Sequence, residues 1–352
     1  MLLDHYGLRE QPFGVTPNPR FLYLSPSHRE ALASLVYGIE SGRGFLALIA
    51  SPGMGKTTLL FQLLERLGST ARTVFLFQTQ RGDRDFLRSL MADLGIAGGE
   101  QDLVALQGRL NQLLLEELQA GRKFVLLVDE AQNLDDSSLE FIRMLSNFET
   151  PRDKLIHIVM AGQTQLAQKL ARPSMVQLRQ RISMFIRLNP LSPSEIAEYI
   201  DHRLRVAGYT GPTLFSAAAV SEIASLSGGV PRNINNICFN ALSLGYAGGR
   251  KRIESALVRE VGSDLDLSAI AEEQAEVLQR ATEESTGRGR SRPTQAEGWA
   301  VLLDRVIPPA RKAGPGSGPE PVLPVKPSWP HGSRWRETAE AWRGRMRDRT
   351  VH

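Results

Sequence analysis

"ASPGMGKTTLL", residues 50–60, is the stretch on which the reading of this chain turns. It matches the phosphate-binding pattern G-x-x-x-x-G-K-[ST] except at the first letter, where Ala50 replaces glycine. The pattern carries meaning only between a strand and a helix. Its flanks supply both: "FLALIA" (45–50) is an apolar run of strand length, and a helix is predicted from Lys56 to Leu67.

Each position then has a physical task. Gly53 and Gly55 tolerate positive φ and let the backbone come close to an anion. The N–H groups of Pro52–Thr58 (Pro52 itself lacks one), with Gly53, Met54 and Gly55 at the centre, and the helix amino terminus would bind phosphate oxygens. Lys56 would reach the terminal phosphates, and the Thr57 hydroxyl would coordinate Mg²⁺, with Thr58 the less suited neighbour. The competing reading is a glycine-rich turn followed by a chance Lys-Thr pair.

"FVLLVDEAQ" argues against chance. It places Asp129 and Glu130 directly after an apolar strand, roughly 70 residues beyond the loop. Asp129 would hold the magnesium, directly or through water, and Glu130 would orient and deprotonate an attacking water.

Around these two motifs the chain alternates. Strands are predicted at 45–50, 72–78, 123–130, 155–162 and 185–191. Helices are predicted between them at 56–67, 83–94, 101–120, 137–148 and 164–170. Continuous apolar strands separated by helices imply a parallel sheet covered on both faces. Residues 1–44 read as a proline-bearing lead-in followed by a helix capped by Ser27, with Glu30 completing a capping box. The core spans 45–191, a helical domain follows over 192–267, and a Pro/Gly/Arg-rich tail, expected to be disordered, occupies 268–352.

Composition narrows the class. Of 352 residues, 42% are apolar and 23% charged, as in an ordinary globular protein. The single cysteine, Cys238, excludes an intramolecular disulfide and lies in a helical pattern, as a buried thiol would. There is no secretion signal, and the longest apolar runs fall short of a membrane span, so a cytoplasmic location is expected. The net charge of +4 is unevenly spread: from Ser285 onward 13 Lys/Arg face 6 Asp/Glu, so the preceding residues sum to −3. The six histidines show no metal-ligand spacing.

With these residues in place the chain resembles the AAA+ ATPases. More narrowly, it is similar to the ExeA/GspA-type secretion ATPases and the related TniB-type transposition ATPases. "YGLREQPFGVTPNPRFLYLSPSHREALASLVYGI", "GMGKTTLL", "LLVDEAQNL", "MAGQTQL", "LRQRI" and "GGVPRNINNIC" carry that likeness, over about Tyr6 to Leu267. The resemblance implies a P-loop α/β core with a small helical lid, binding ATP and Mg²⁺ at a subunit boundary of a homo-oligomer.

It also implies further roles. Gln163 takes the sensor position after the fourth strand. Arg181 is projected into a neighbouring subunit's site, with Arg179 as its competitor. Arg232 contacts the γ-phosphate from the lid. Phe13, Pro19 and Tyr23 are candidates for the adenine pocket, against plain packing. Gln78 or Thr79 is a candidate restraint on Glu130. The implied task is assembly or export with a protein partner in a secretion or exopolysaccharide system; the alternative is a DNA-dependent ATPase of transposition. In the tail, Trp335, Ala339, Trp342 and Met346 recur at helical spacing among arginines over 333–349. This is either a basic amphipathic helix for peripheral membrane contact or a solvated end.

Overall fold

The computed structural model describes residues 1–77, 83–96 and 103–264. Gln78, Thr79 and the tail from 268, including 333–349, lie outside the described residues.

Five parallel strands form one sheet: β1 (Phe45–Ile49), β2 (Ala71–Leu76), β3 (Lys123–Val128), β4 (His157–Gly162) and β5 (Met184–Arg187), in the order β2-β3-β4-β1-β5. The apolar runs are continuous because both faces are covered. Leu46 and Leu48 of β1, Val125 and Leu127 of β3, and Val159 and Ala161 of β4 face α2 (Pro26–Glu40) and α3 (Lys56–Leu67). The alternate residues Phe45, Ala47 and Ile49, Phe124, Leu126 and Val128, and Ile158 and Met160 face the other layer. That layer holds α4 (Asp83–Asp93), α5 (Leu103–Gln119), α6 (Asp136–Leu145), α7 (Thr164–Ala171) and α8 (Val176–Arg181). Each of the larger side chains among these, withdrawn from water, contributes about 1.5–3 kcal/mol.

Several boundaries differ from the sequence expectation, among them the ends of β2, the start of β4 and the end of α6. The cap of α2 is Ser25, not Ser27: its side chain accepts from the His28 N–H at 3.3 Å. Pro26 then occupies the first helical position, where its missing N–H costs nothing. β3 stops at Val128, so Asp129 and Glu130 lie beyond the strand. β5 is shorter than expected, because the chain turns away ahead of Pro190.

Among the described residues four helices follow the sheet: α9 (Pro193–Val206), α10 (Ala217–Ser227), α11 (Pro231–Ala247) and α12 (Ser255–Asp264). Ser192 and Glu195 form a complete capping box at α9. Cys238 is fully buried in α11, and burial pushes its thiol well above the usual range.

The amino-terminal lead-in belongs to the core of these helices. Its short helix α1, numbered first in the chain (Leu2–Tyr6), contributes Tyr6. Leu8, Phe13 and Phe21 join it, packed with Tyr199, Phe215 and Ile237. Arg203 of α9 fastens the lead-in: it donates to Pro12 O at 2.5 Å, Gly14 O at 3.4 Å and Tyr199 Oη at 3.0 Å. Its guanidinium also lies 5.0 Å from the centre of the Phe21 ring.

Candidate active site

The carboxyl ends of β1, β3 and β4 converge on one cleft, where open parallel sheets bind ligands. The loop after β1 forms its floor. Ala50 is buried at the strand end, with its N–H bonded to Gly162 O at 3.1 Å. It is not among the positive-φ residues, so nothing there requires glycine. Gly53 and Gly55 do adopt positive φ, 79° and 85°. Met54 buries its side chain in the sheet core while its backbone stays at the cleft.

Lys56 begins α3 and is 5% exposed. Its ammonium donates to Ala50 O at 3.0 Å and Ser51 O at 3.3 Å. Burial holds its pKa below the usual lysine range, Glu130 and Asp129 pull it back up, and Arg232 pushes it down.

Thr57 Oγ1 donates to Asp129 Oδ2 at 2.6 Å, joining residues 72 positions apart. Asp129 is 3% exposed; burial raises its carboxyl pKa against the hydrogen bonds from Thr57 and the Glu130 N–H. A hydroxyl beside a carboxylate suits Mg²⁺, which takes few protein oxygens and fills its shell with phosphate oxygens and water. No cluster of three His, Cys, Asp or Glu that could hold a metal occurs among the described residues, so a fully protein-caged metal is not on offer there.

Glu130 has φ 52° and ψ 37°, the sole positive-φ residue other than glycine among the described residues. Its Oε2 accepts from Gln132 Nε2 at 2.5 Å and from Gln163 Nε2 at 3.1 Å. Thr58 also lines the cleft.

Arg232, at the start of α11, lines the cleft from the helical side, and its N–H bonds Gly53 O at 3.2 Å. A Cβ on Gly53 would stand 2.7 Å from Arg232 Cβ, so glycine is what admits the helix terminus to the loop.

The lead-in supplies the remaining wall, and the whole cleft encloses about 950 Å³ including the solvent at its mouth. Of the adenine candidates, Tyr23 lines it, with its hydroxyl donating to Glu198 at 2.6 Å. Phe13 does not: it is 1% exposed and set edge-on to Phe215 at 6.0 Å in the helical core. Pro19 opens a 3-10 turn (Pro19–Phe21) and is not part of the cleft lining.

Arg181 is not at this cleft. It ends α8 near the amino ends of β1 and β5, exposed, with Lys154 as neighbour; burial and then the Arg181 charge push the Lys154 pKa down. Among the described residues its guanidinium makes no hydrogen bond or ion pair, whereas Arg179 donates to Ala171 O at 3.3 Å.

Two residues that hold the site's own groups in place were not singled out from the sequence. His28 is 2% exposed and its Nε2 bonds Met54 O at 3.0 Å. Ser25 Oγ lies 2.8 Å from its Nδ1, so the neutral Nε2–H tautomer fits both contacts, and burial lowers its pKa. Gln132 is the other; its place in "DEAQNL" was the only sequence signal.

Fold and site together define a P-loop NTPase of the AAA+ class. Residues 39–170 match the AAA domain family. More particularly, the chain is an ExeA/GspA-like AAA+ ATPase. General secretion pathway protein A of Aeromonas hydrophila is 38% identical over 270 residues, covering 76% of this chain and 48% of the relative. The chain thus spans about half the length of that relative. Among solved structures, Cdc6p from Pyrobaculum aerophilum aligns with a TM-score of 0.53 at 21% identity, over 70% of this chain and 68% of that one. The Aeropyrum pernix ORC2 protein, in ADPNP-ADP complexes, aligns with a TM-score of 0.56 at 17% identity, over 72% and 71%. These two likenesses concern the fold alone.

Proposed function

We propose that the protein hydrolyses ATP in a Mg²⁺-dependent reaction, as a homo-oligomer, to drive assembly or export in a secretion system. The observation that carries the chemistry is the Thr57–Asp129 hydrogen bond in the cleft that also holds Lys56 and Glu130.

The loop N–H groups around Gly53–Thr57 bind the phosphates, and Lys56 exchanges its bonds to Ala50 O and Ser51 O for phosphate oxygens. Thr57 and Asp129 hold the magnesium, which when bound offsets charge on the phosphate oxygens. Glu130 orients a water and takes its proton as the oxygen attacks the terminal phosphorus in line and the bond to the β-phosphate oxygen breaks. ADP and phosphate leave. Gln163 steadies Glu130 from the end of β4, and Arg232 contacts the terminal phosphate from α11.

Arg181 serves a neighbouring subunit's cleft, a role supported by its exposure and its lack of hydrogen bonds among the described residues. Positioning and charge stabilisation supply most of the rate. The secretion task is taken from the relative's name. No helix among the described residues is long and apolar enough to cross a membrane.

The test is steady-state hydrolysis with Mg²⁺ and with EDTA, for the unsubstituted chain and Glu130→Gln. The variant should bind ATP and release no phosphate; undiminished turnover would sink the assignment.

A further inference from the structure

We propose that Gln132 is a positioning residue that divides the two oxygens of the Glu130 carboxylate, tying one to the protein and leaving the other for the attacking water. The inference rests on the hydrolase reading above.

Two amides converge on one oxygen, Glu130 Oε2: Gln132 Nε2 at 2.5 Å and Gln163 Nε2 at 3.1 Å. Oε1 has no protein donor among the described residues. A base needs such an arrangement, because a carboxylate free to rotate presents either oxygen, at any angle, to the water.

The amide of Gln132 cannot serve Glu130 in the reverse sense. Its Oε1 accepts from the Gln163 backbone N–H at 3.0 Å. That N–H can only donate, so oxygen must face it and Nε2 must face Glu130. One side chain therefore spans the ends of β3 and β4.

The surroundings are shaped to it. A Cβ on Gly162 would stand 3.1 Å from Gln132 Oε1 and 2.6 Å from Leu166 Cδ2, so a larger residue at the end of β4 would push into the bridge. Lys169 of α7 donates to Gln132 O at 3.1 Å and also to Leu134 O, holding the backbone of the turn (Ala131–Asn133) that carries the glutamine. Glu130 itself sits in left-handed backbone, which is unfavourable for a residue with a Cβ. The bridge holds the side chain that this backbone aims.

The experiment compares kcat, ATP affinity and unfolding temperature for the unsubstituted chain, Gln132→Met and Gln132→Glu. Methionine keeps the length and loses both hydrogen bonds. Glutamate keeps the acceptor for the Gln163 N–H and replaces the donor with a like charge. We expect kcat to fall by about 10- to 100-fold in Gln132→Met and further in Gln132→Glu. ATP affinity should stay within about twofold and the unfolding temperature within a few degrees. On a Glu130→Gln background the Gln132 substitutions should have no further effect on residual turnover.

A packing role would instead lower kcat, ATP affinity and unfolding temperature together, and that result overturns the proposal. So does full activity in Gln132→Glu beside loss in Gln132→Met, which would credit the Gln163 contact. Turnover that Glu130→Gln abolishes and both Gln132 variants retain refutes this role alone. Absence of turnover in the unsubstituted chain refutes the hydrolase reading and this role with it.

Discussion

His157 opens β4 at the end of the sheet away from the cleft, 1% exposed, beside Val125 in the strand register. Neither ring nitrogen makes a well-directed hydrogen bond, although the Phe124 backbone lies close. Burial, then the charge of Lys123, with a smaller push from Lys154, lowers its pKa from 6.5 to about 4. The folded chain therefore binds this proton less readily than the unfolded chain. The resulting stability is whole above about pH 6.5 and is lost as pH falls toward 4. At 1.36 kcal/mol per pKa unit, the loss attributable to this ring is about 2 kcal/mol by pH 5 and about 3 kcal/mol by pH 4. His157→Leu removes the ring. Urea unfolding followed by far-ultraviolet circular dichroism at pH 7, 5 and 4 should show the variant gaining about 3 kcal/mol on the parent between pH 7 and 4. Carboxylates titrate in both proteins and cancel in the comparison. Parallel pH profiles for the two would refute the reasoning.

Three further outcomes are expected. Gly53→Ala strains a φ of 79° and meets Arg232 Cβ at 2.7 Å; ATP affinity by titration calorimetry should fall at least about tenfold while the sheet stays folded. Arg181→Ala should bind ATP normally and lose turnover. Mixing it with Glu130→Gln should restore part of the activity, because mixed neighbours pair an intact cleft with an intact arginine; no recovery would count against action between subunits. Arg203→Met leaves the carbonyls of Pro12 and Gly14 and the Tyr199 hydroxyl short of a donor. It should cost about 2 kcal/mol in urea unfolding, net of the relief from no longer burying a charge.

The central strands were legible because a strand covered on both faces is apolar at nearly every position: "FLALI" and "FVLLV" can scarcely do anything else. The glycine loop and the acids after β3 were legible because their chemistry lies in contiguous letters. What stayed hidden depends on pairs distant in sequence. Nothing local to Gln132 shows that β4 places the Gln163 N–H beside it, and nothing local to His28 shows that it meets the loop carbonyl of Met54. The α2 start was misplaced because Ser25 and Ser27 are both good caps, and only the proline between them favours the first. Phe13 was offered to the cleft because local sequence shows that an aromatic will be buried, not against which layer. α1 and α8, of five and six residues, are too short to display a helical period.

The lead-in's place among the last helices has a temporal consequence. The Tyr6 hydroxyl donates to Leu242 O at 3.1 Å, across 236 residues, and the Lys251 ammonium donates to His5 O at 2.7 Å. At roughly 5–20 residues per second of synthesis, the lead-in waits roughly 10–50 s for these partners to be made. For that interval Tyr6, Leu8, Phe13 and Phe21 have nowhere to bury themselves, while the sheet can already assemble. The cleft wall formed by the lead-in is therefore among the last parts to close. Nascent chains stalled before Leu242 should have a folded sheet yet remain open to proteases near the amino terminus, and should be targets for chaperones that recognise exposed aromatics.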